Sequence, residues 1–120
     1  MNSLIIDTAG KEIFLKIIFK GKEYSIQHNN CRENFDELVI LVFDFLKENR
    51  VDLINIDNVF INQGPGKYTS IRSAISIVKA LKISKKINIY GYYSSQIISN
   101  DYNILIKLLK EGRLTKDFIQ

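Results

Sequence analysis

Apolar and polar positions change their period twice along this chain. Residues 3–7 (SLIID) form a short apolar run ending in an acid, and residues 9–11 read as a turn. Residues 12–19 (EIFLKIIF) are rich in β-branched and aromatic side chains, which suits a strand. A second turn at residues 20–22 and a third strand at 23–27 complete a three-stranded antiparallel meander. Residues 28–32 (HNNCR) read as a polar loop. Over residues 33–49 the period becomes helical, with Phe35, Leu38, Val39, Val42, Phe45 and Leu46 on one face. A connection at 51–57 leads to an apolar strand at 58–62 and a Gly-Pro-Gly loop. A second helix at 69–83, a strand at 87–92 and a short helical piece at 94–98 follow. The order βββαβαβ predicts an α/β fold whose mixed five-stranded sheet begins antiparallel and continues parallel, with helices packed against it. Residues 101–120 suit a helix stopped at Gly112 slightly better than one strand of a hairpin turning at residues 111–112.

Both predicted helices carry more apolar surface than a sheet requires. In the first, Leu41, Phe45, Leu38, Val42, Leu46, Val39 and Phe43 span an arc of roughly 200°, against the ~100° stripe of a helix on one core. Ile40 interrupts the remaining polar face. In the second helix Ile71, Ala74, Ile75, Val78 and Leu81 form the core stripe, and Ser73, Ser76, Ile77 and Ala80 a second stripe of mostly small residues. Small side chains let helix axes approach closely. Either a neighbouring helix of the same chain or a partner subunit covers the excess, and Leu38, Ile40, Leu41, Phe43, Ser73, Ser76, Ile77 and Ala80 are the candidate interface residues.

Composition agrees with one folded unit: 120 residues, 46% apolar, 25% charged, one Pro and six Gly. The apolar fraction excludes disorder. Cys31 stands alone, so no internal disulfide forms; it reads as a small, partly buried residue in a reducing compartment. The longest apolar run, residues 38–43, is far short of the ~20 residues of a membrane span, and charges at 7, 11, 12 and 16 break any signal-peptide core. The formal charge of +4 is unevenly spread. Residues 33–58 hold seven acids and two bases, whereas residues 67–90 hold six bases and no acid. The basic segment is either a solvated helix face or faces an anion. Direct nucleic-acid binding through Lys79, Lys82, Lys85 and Lys86 is one version of the second case, although no zinc-finger spacing or RNP motif accompanies it.

The most informative segment is the loop Gly64, Pro65, Gly66, Lys67, Tyr68, Thr69, set between a strand and a helix. Thr69 is a candidate helix N-cap, and glycines there either permit a tight turn or let N–H groups face an anion. The spacing matches neither a P-loop nor a dinucleotide fingerprint. Classical catalytic sets are missing. His28 is the one histidine, so a paired-His metal site cannot be assembled from this sequence, and no nucleophile elbow is present.

Residues 62–81 (NQGPGKYTSIRSAISIVKAL) resemble the G-P-G-x-F-T-G-[LI]-R-x-G-x-x-x-A-K-x-L signature of the bacterial TsaB family. Gly64, Pro65, Gly66, Thr69, Arg72 and Lys79 match it directly, and Tyr68 replaces the usual Phe. Residues 4–9 (LIIDTA) are similar to the family's opening I-D-T-[AS] strand, and Tyr92, Ser94 and Ser95 stand where it has V-S-S. Ser70 and Ala74 replace signature glycines, and Asn34 stands where a histidine is common.

The resemblance covers about residues 1–98. It implies the first lobe of the actin-like, Hsp70-like ATPase fold (ribonuclease H-like), with residues 1–100 as that lobe and 101–120 as a helix or hairpin remnant of a second lobe. It implies a cytoplasmic, non-catalytic subunit in the synthesis of N6-threonylcarbamoyladenosine next to the anticodon of tRNAs reading codons that start with A. The implied partners are a catalytic TsaD-like paralogue, met through first-lobe helices in a four-helix bundle, and a TsaE-like ATPase. tRNA is reached through the complex, a homodimer is possible without the partner, and no membrane is involved. No cofactor is expected on this chain alone, ATP and a metal ion belonging to the partner complex. Asp7 and Thr8 lie where that fold places its first phosphate loop, and are read either as a vestigial nucleotide contact or as hydrogen bonding that closes a strand end. The competing reading is an independent nucleotide-binding protein or phosphotransferase of the same fold.

Overall fold

The structure is a computed structural model that describes residues 2–84, 87–98 and 101–116, without the side chains of 83 and 84. Its sheet is built from β1 (Ser3–Asp7), β2 (Glu12–Phe19), β3 (Lys22–Asn29), β4 (Asn58–Asn62), β5 (Asn88–Tyr92) and β6 (Thr115–Lys116), in the order β3-β2-β1-β4-β5-β6. The opening meander is antiparallel, while β1, β4 and β5 run parallel. The two-residue β6 adds antiparallel to β5, a strand absent from the five expected.

The helices are α1 (Arg32–Asp36), α2 (Leu38–Glu48), α3 (Tyr68–Ser84) and α4 (Ile104–Lys110). Side chains alternate across the sheet with period two, and this divides the core. Leu4, Ile6, Leu15, Val59, Ile61 and Ile89 face α2 and α3, meeting Leu38, Phe45, Ala74 and Val78. Ile5, Phe60 and Tyr92 point the other way, onto Tyr102, Leu105 and Leu108 of the α4 segment. β1 and β4 are therefore buried on both faces, which explains their unbroken apolar runs.

Three expectations change. The helix at 33–49 is two helices, because Glu37 leaves helical geometry (φ −105°, ψ 23°) and its N–H donates to Asn34 C=O. His28 lies not in a loop but on β3, opposite Ile13, since the β2–β3 ladder runs on to Glu12–Asn29. Residues 101–116 provide both a helix and a short strand rather than one or the other. Lys85 and Lys86 of the basic segment lie outside the described residues. No helix among the described residues is long and apolar enough to cross a membrane.

Candidate functional site

Parallel pairing brings three polar residues together at the C-terminal ends of neighbouring strands. Ile6 pairs with Ile61, so Asp7 and Asn62 follow side by side, and Asn62 pairs with Tyr92. The ends of such strands are where open α/β sheets place their ligands. A groove of about 450 Å³ lies here, lined by Asp7, Glu12, Phe14, Asn62, Ser94 and Tyr102 among others.

Asp7 is nearly buried, and its carboxylate is fully engaged. Oδ1 accepts from Ala9 N–H (3.1 Å). Oδ2 accepts from Asn62 Nδ2 (3.1 Å), Tyr92 Oη (3.0 Å) and Tyr102 Oη (2.8 Å). Four donors compensate the buried charge. Burial first, and then the charge of Asp7, raise the pKa of both tyrosines above the usual range. Both therefore stay protonated and donating at neutral pH. Each carboxylate oxygen already has protein donors, and no group of three or more His, Cys, Asp or Glu among the described residues could hold a metal. Thr8 is wholly buried and does not line the groove. Asp7 closes the end of β1 and ties it to β4, β5 and the α4 segment.

The loop at 64–69 is packed against the β1–β2 turn. Gly64 has φ +103°, and the Gly64–Pro65 bond is cis. A Cβ on Gly66 would fall 2.2 Å from Ala9 C=O, so no other residue fits without a backbone shift. Two loop N–H groups have protein acceptors: Gly64 donates to Asn62 Oδ1 (2.7 Å) and Lys67 to Ala9 C=O (3.0 Å). Thr69 is the second residue of α3 rather than its cap, because the helical ladder already starts at Lys67 C=O, which accepts from Ile71. Tyr68 and Arg72 are exposed and joined, with the guanidinium 2.8 Å from the phenol oxygen and 5.4 Å from the ring centroid.

Asn30 is the residue that sequence reasoning missed. Its Nδ2 donates to the carbonyls of Thr8 (2.7 Å) and Gly10 (2.8 Å), and its Oδ1 accepts from Ser70 Oγ (2.7 Å). Lys67 Nζ donates to its carbonyl. Ser70, a departure from the family signature, thus holds α3 to the β1–β2 turn through Asn30.

On the side of α2 turned away from the sheet, Val39, Ile40 and Phe43 are 45%, 54% and 41% exposed. Ser76 and Ala80 of α3 are exposed, and Leu41, Ser73 and Ile77 are half-buried. Leu38 leaves the candidate interface: it is 0% exposed, because it is the first core contact after the break at Glu37.

The family described as TsaD: tRNA N6-adenosine threonylcarbamoyltransferase matches residues 29–103. The chain belongs to that family. A curated relative, the tRNA threonylcarbamoyladenosine biosynthesis protein TsaB of Buchnera aphidicola subsp. Schizaphis graminum, is 29% identical over 96 residues, 80% of this chain and 46% of its own length. Among solved structures, YeaZ from Pseudomonas aeruginosa superposes with a TM-score of 0.74 at 22% identity, covering 92% of this chain and 49% of YeaZ. T. thermophilus RuvC superposes with a TM-score of 0.60 at 12% identity, covering 97% and 99% of the two chains. The fold is thus of the ribonuclease H-like, actin-like type, and the chain is TsaB-like (YeaZ-like). It spans about half the length of the relatives it matches.

Proposed function

We propose that this chain is a non-catalytic scaffold in tRNA threonylcarbamoyladenosine synthesis, pairing with a TsaD-type subunit through α2 and α3. The observation that carries this is the exposed apolar row Val39, Ile40 and Phe43 beside the small-residue stripe of α3. Solvent-facing apolar side chains grouped on one helix mark an interaction surface. Exposed small residues such as Ser76 and Ala80 admit a second helix at close range. The TsaB name of the relative supports the pathway, and the resemblance supports a four-helix bundle as the form of contact. In this reading the chemistry, ATP and metal belong to the partner complex, which includes a TsaE-like ATPase and works on tRNA in the cytoplasm. The engaged carboxylate of Asp7 supports the same division of labour over the phosphotransferase alternative.

Co-expression with a TsaD-type subunit, followed by size-exclusion chromatography, tests the pairing. The wild-type chain should co-elute, and Ile40→Glu or Ala80→Arg should abolish co-elution while leaving the circular dichroism spectrum unchanged. Undiminished co-elution of both variants would remove α2 and α3 from the interface.

A further inference from the structure

A second surface lies at the end of the sheet where β4 and β5 stop. Tyr68 is 67% exposed and Tyr93 is 48% exposed. Two hydrogen bonds hold their loops together: Ser94 N–H to Gly64 C=O (2.9 Å) and Ser94 Oγ to Pro65 C=O (3.2 Å). Arg72, one helical turn along, holds its guanidinium 5.4 Å from the Tyr68 ring centroid and donates to the phenol oxygen, and Lys67 precedes Tyr68. Tyr93 is fixed in its turn by its own N–H, which donates to Gln96 Oε1 (2.8 Å). No acid occurs anywhere from residue 58 to residue 100, the stretch that builds this surface. Of the neighbouring carboxylates, Asp7 is fully hydrogen-bonded, Glu12 lines the groove, and Asp36 on α1 pairs with Arg32, leaving Glu33 on that helix.

Two exposed aromatic rings on adjoining, hydrogen-bonded loops, with an arginine beside one of them and no carboxylate in the same stretch of chain, match what unpaired nucleobases require. Bases stack on tyrosine and on guanidinium planes, while cations meet the phosphates. A duplex hides its base faces and cannot use such a surface. We propose that Tyr68, Arg72 and Tyr93 form a stacking surface for unpaired bases of RNA, a direct contact that lies off α2 and beyond Ser76 at the N-terminal end of the exposed row of α3. The choice of RNA rests on the tRNA-modification reading; the stacking chemistry does not.

Fluorescence anisotropy of the full chain with a short labelled single-stranded oligoribonucleotide, its deoxyribonucleotide counterpart and the matching RNA duplex tests this. The single strand should bind more tightly than the duplex. Tyr68→Ala and Tyr93→Ala should each weaken it roughly 5- to 100-fold, and Tyr68→Phe should restore most of the loss. Preference for the ribo strand identifies RNA as the source; equal binding of the deoxy strand overturns the RNA assignment. Duplex binding as tight as single-strand binding, or unchanged affinity in both alanine variants, overturns the stacking surface itself. Tyr93 follows β5 and lies outside both helices of the proposed interface, so Tyr93→Ala should still co-elute with a TsaD-type subunit. A failed stacking test and a failed pairing test are therefore distinguishable.

Discussion

The loop at 64–69 shows how single residues set this architecture. Gly66 sits where a methyl group would overlap Ala9 C=O, and that carbonyl is also the acceptor for Lys67 N–H. Adding a Cβ must push the loop from the β1–β2 turn and weaken the Asn30 hub that shares it. Gly66→Ala should therefore destabilise the fold by roughly 1–3 kcal/mol, the range for insertions that displace backbone. Chemical denaturation would measure this, and a variant as stable as wild type would mean that the close approach is not maintained in solution. The glycines were visible in the sequence as a tight-turn signal. Asn30 was not, because its partners lie 20, 22 and 40 residues away and only the fold brings them together.

At the scale of elements, hydrophobic period located nearly every strand and helix, since β1 to β5 and α3 follow runs of one clear period. It failed where local pattern is silent. The break at Glu37 lies within a stretch that remains helical in period, and β6 is only two residues long. The break matters, because it turns Leu38 into the core and leaves Ile40 outside. Two substitutions on α2 separate these roles. Phe45→Ala removes a ring that is almost wholly buried among Leu38, Val78 and the sheet, and should cost about 3–5 kcal/mol. Ile40→Ser removes an exposed side chain and should change stability by no more than about 0.5 kcal/mol. Urea denaturation of the two isolated variants gives the comparison. A large loss from Ile40→Ser would show that this face is already covered within the chain.

The whole molecule is fastened at Asp7, where β1, β4, β5 and the α4 segment converge. Tyr92 and Tyr102 lie 85 and 95 residues from their shared acceptor, which is why strand prediction could align Asp7 with a turn but could not supply its donors. The same cluster gives the fold a defined response to alkali. Ionising either tyrosine would place a buried phenolate beside a carboxylate, so burial, and then the Asp7 charge, raise both folded-state pKa values. In the unfolded chain the same groups ionise near pH ~10. Their contribution is fully present below that pH and is lost as pH rises from there toward the folded-state values. While a tyrosine is ionised only in the unfolded chain, it lowers the free energy of unfolding by about 1.4 kcal/mol per pH unit. The urea midpoint should therefore fall steeply above pH ~10, as tyrosinate absorbance appears with unfolding. The double variant Tyr92→Phe, Tyr102→Phe should be less stable at neutral pH, because Asp7 loses two of its four donors. It should also lose most of the cluster's part of the alkaline slope. If the double variant kept the wild-type slope, the alkaline response would arise elsewhere and the carboxylate–tyrosine cluster would not be the fastening that joins these strands to α4.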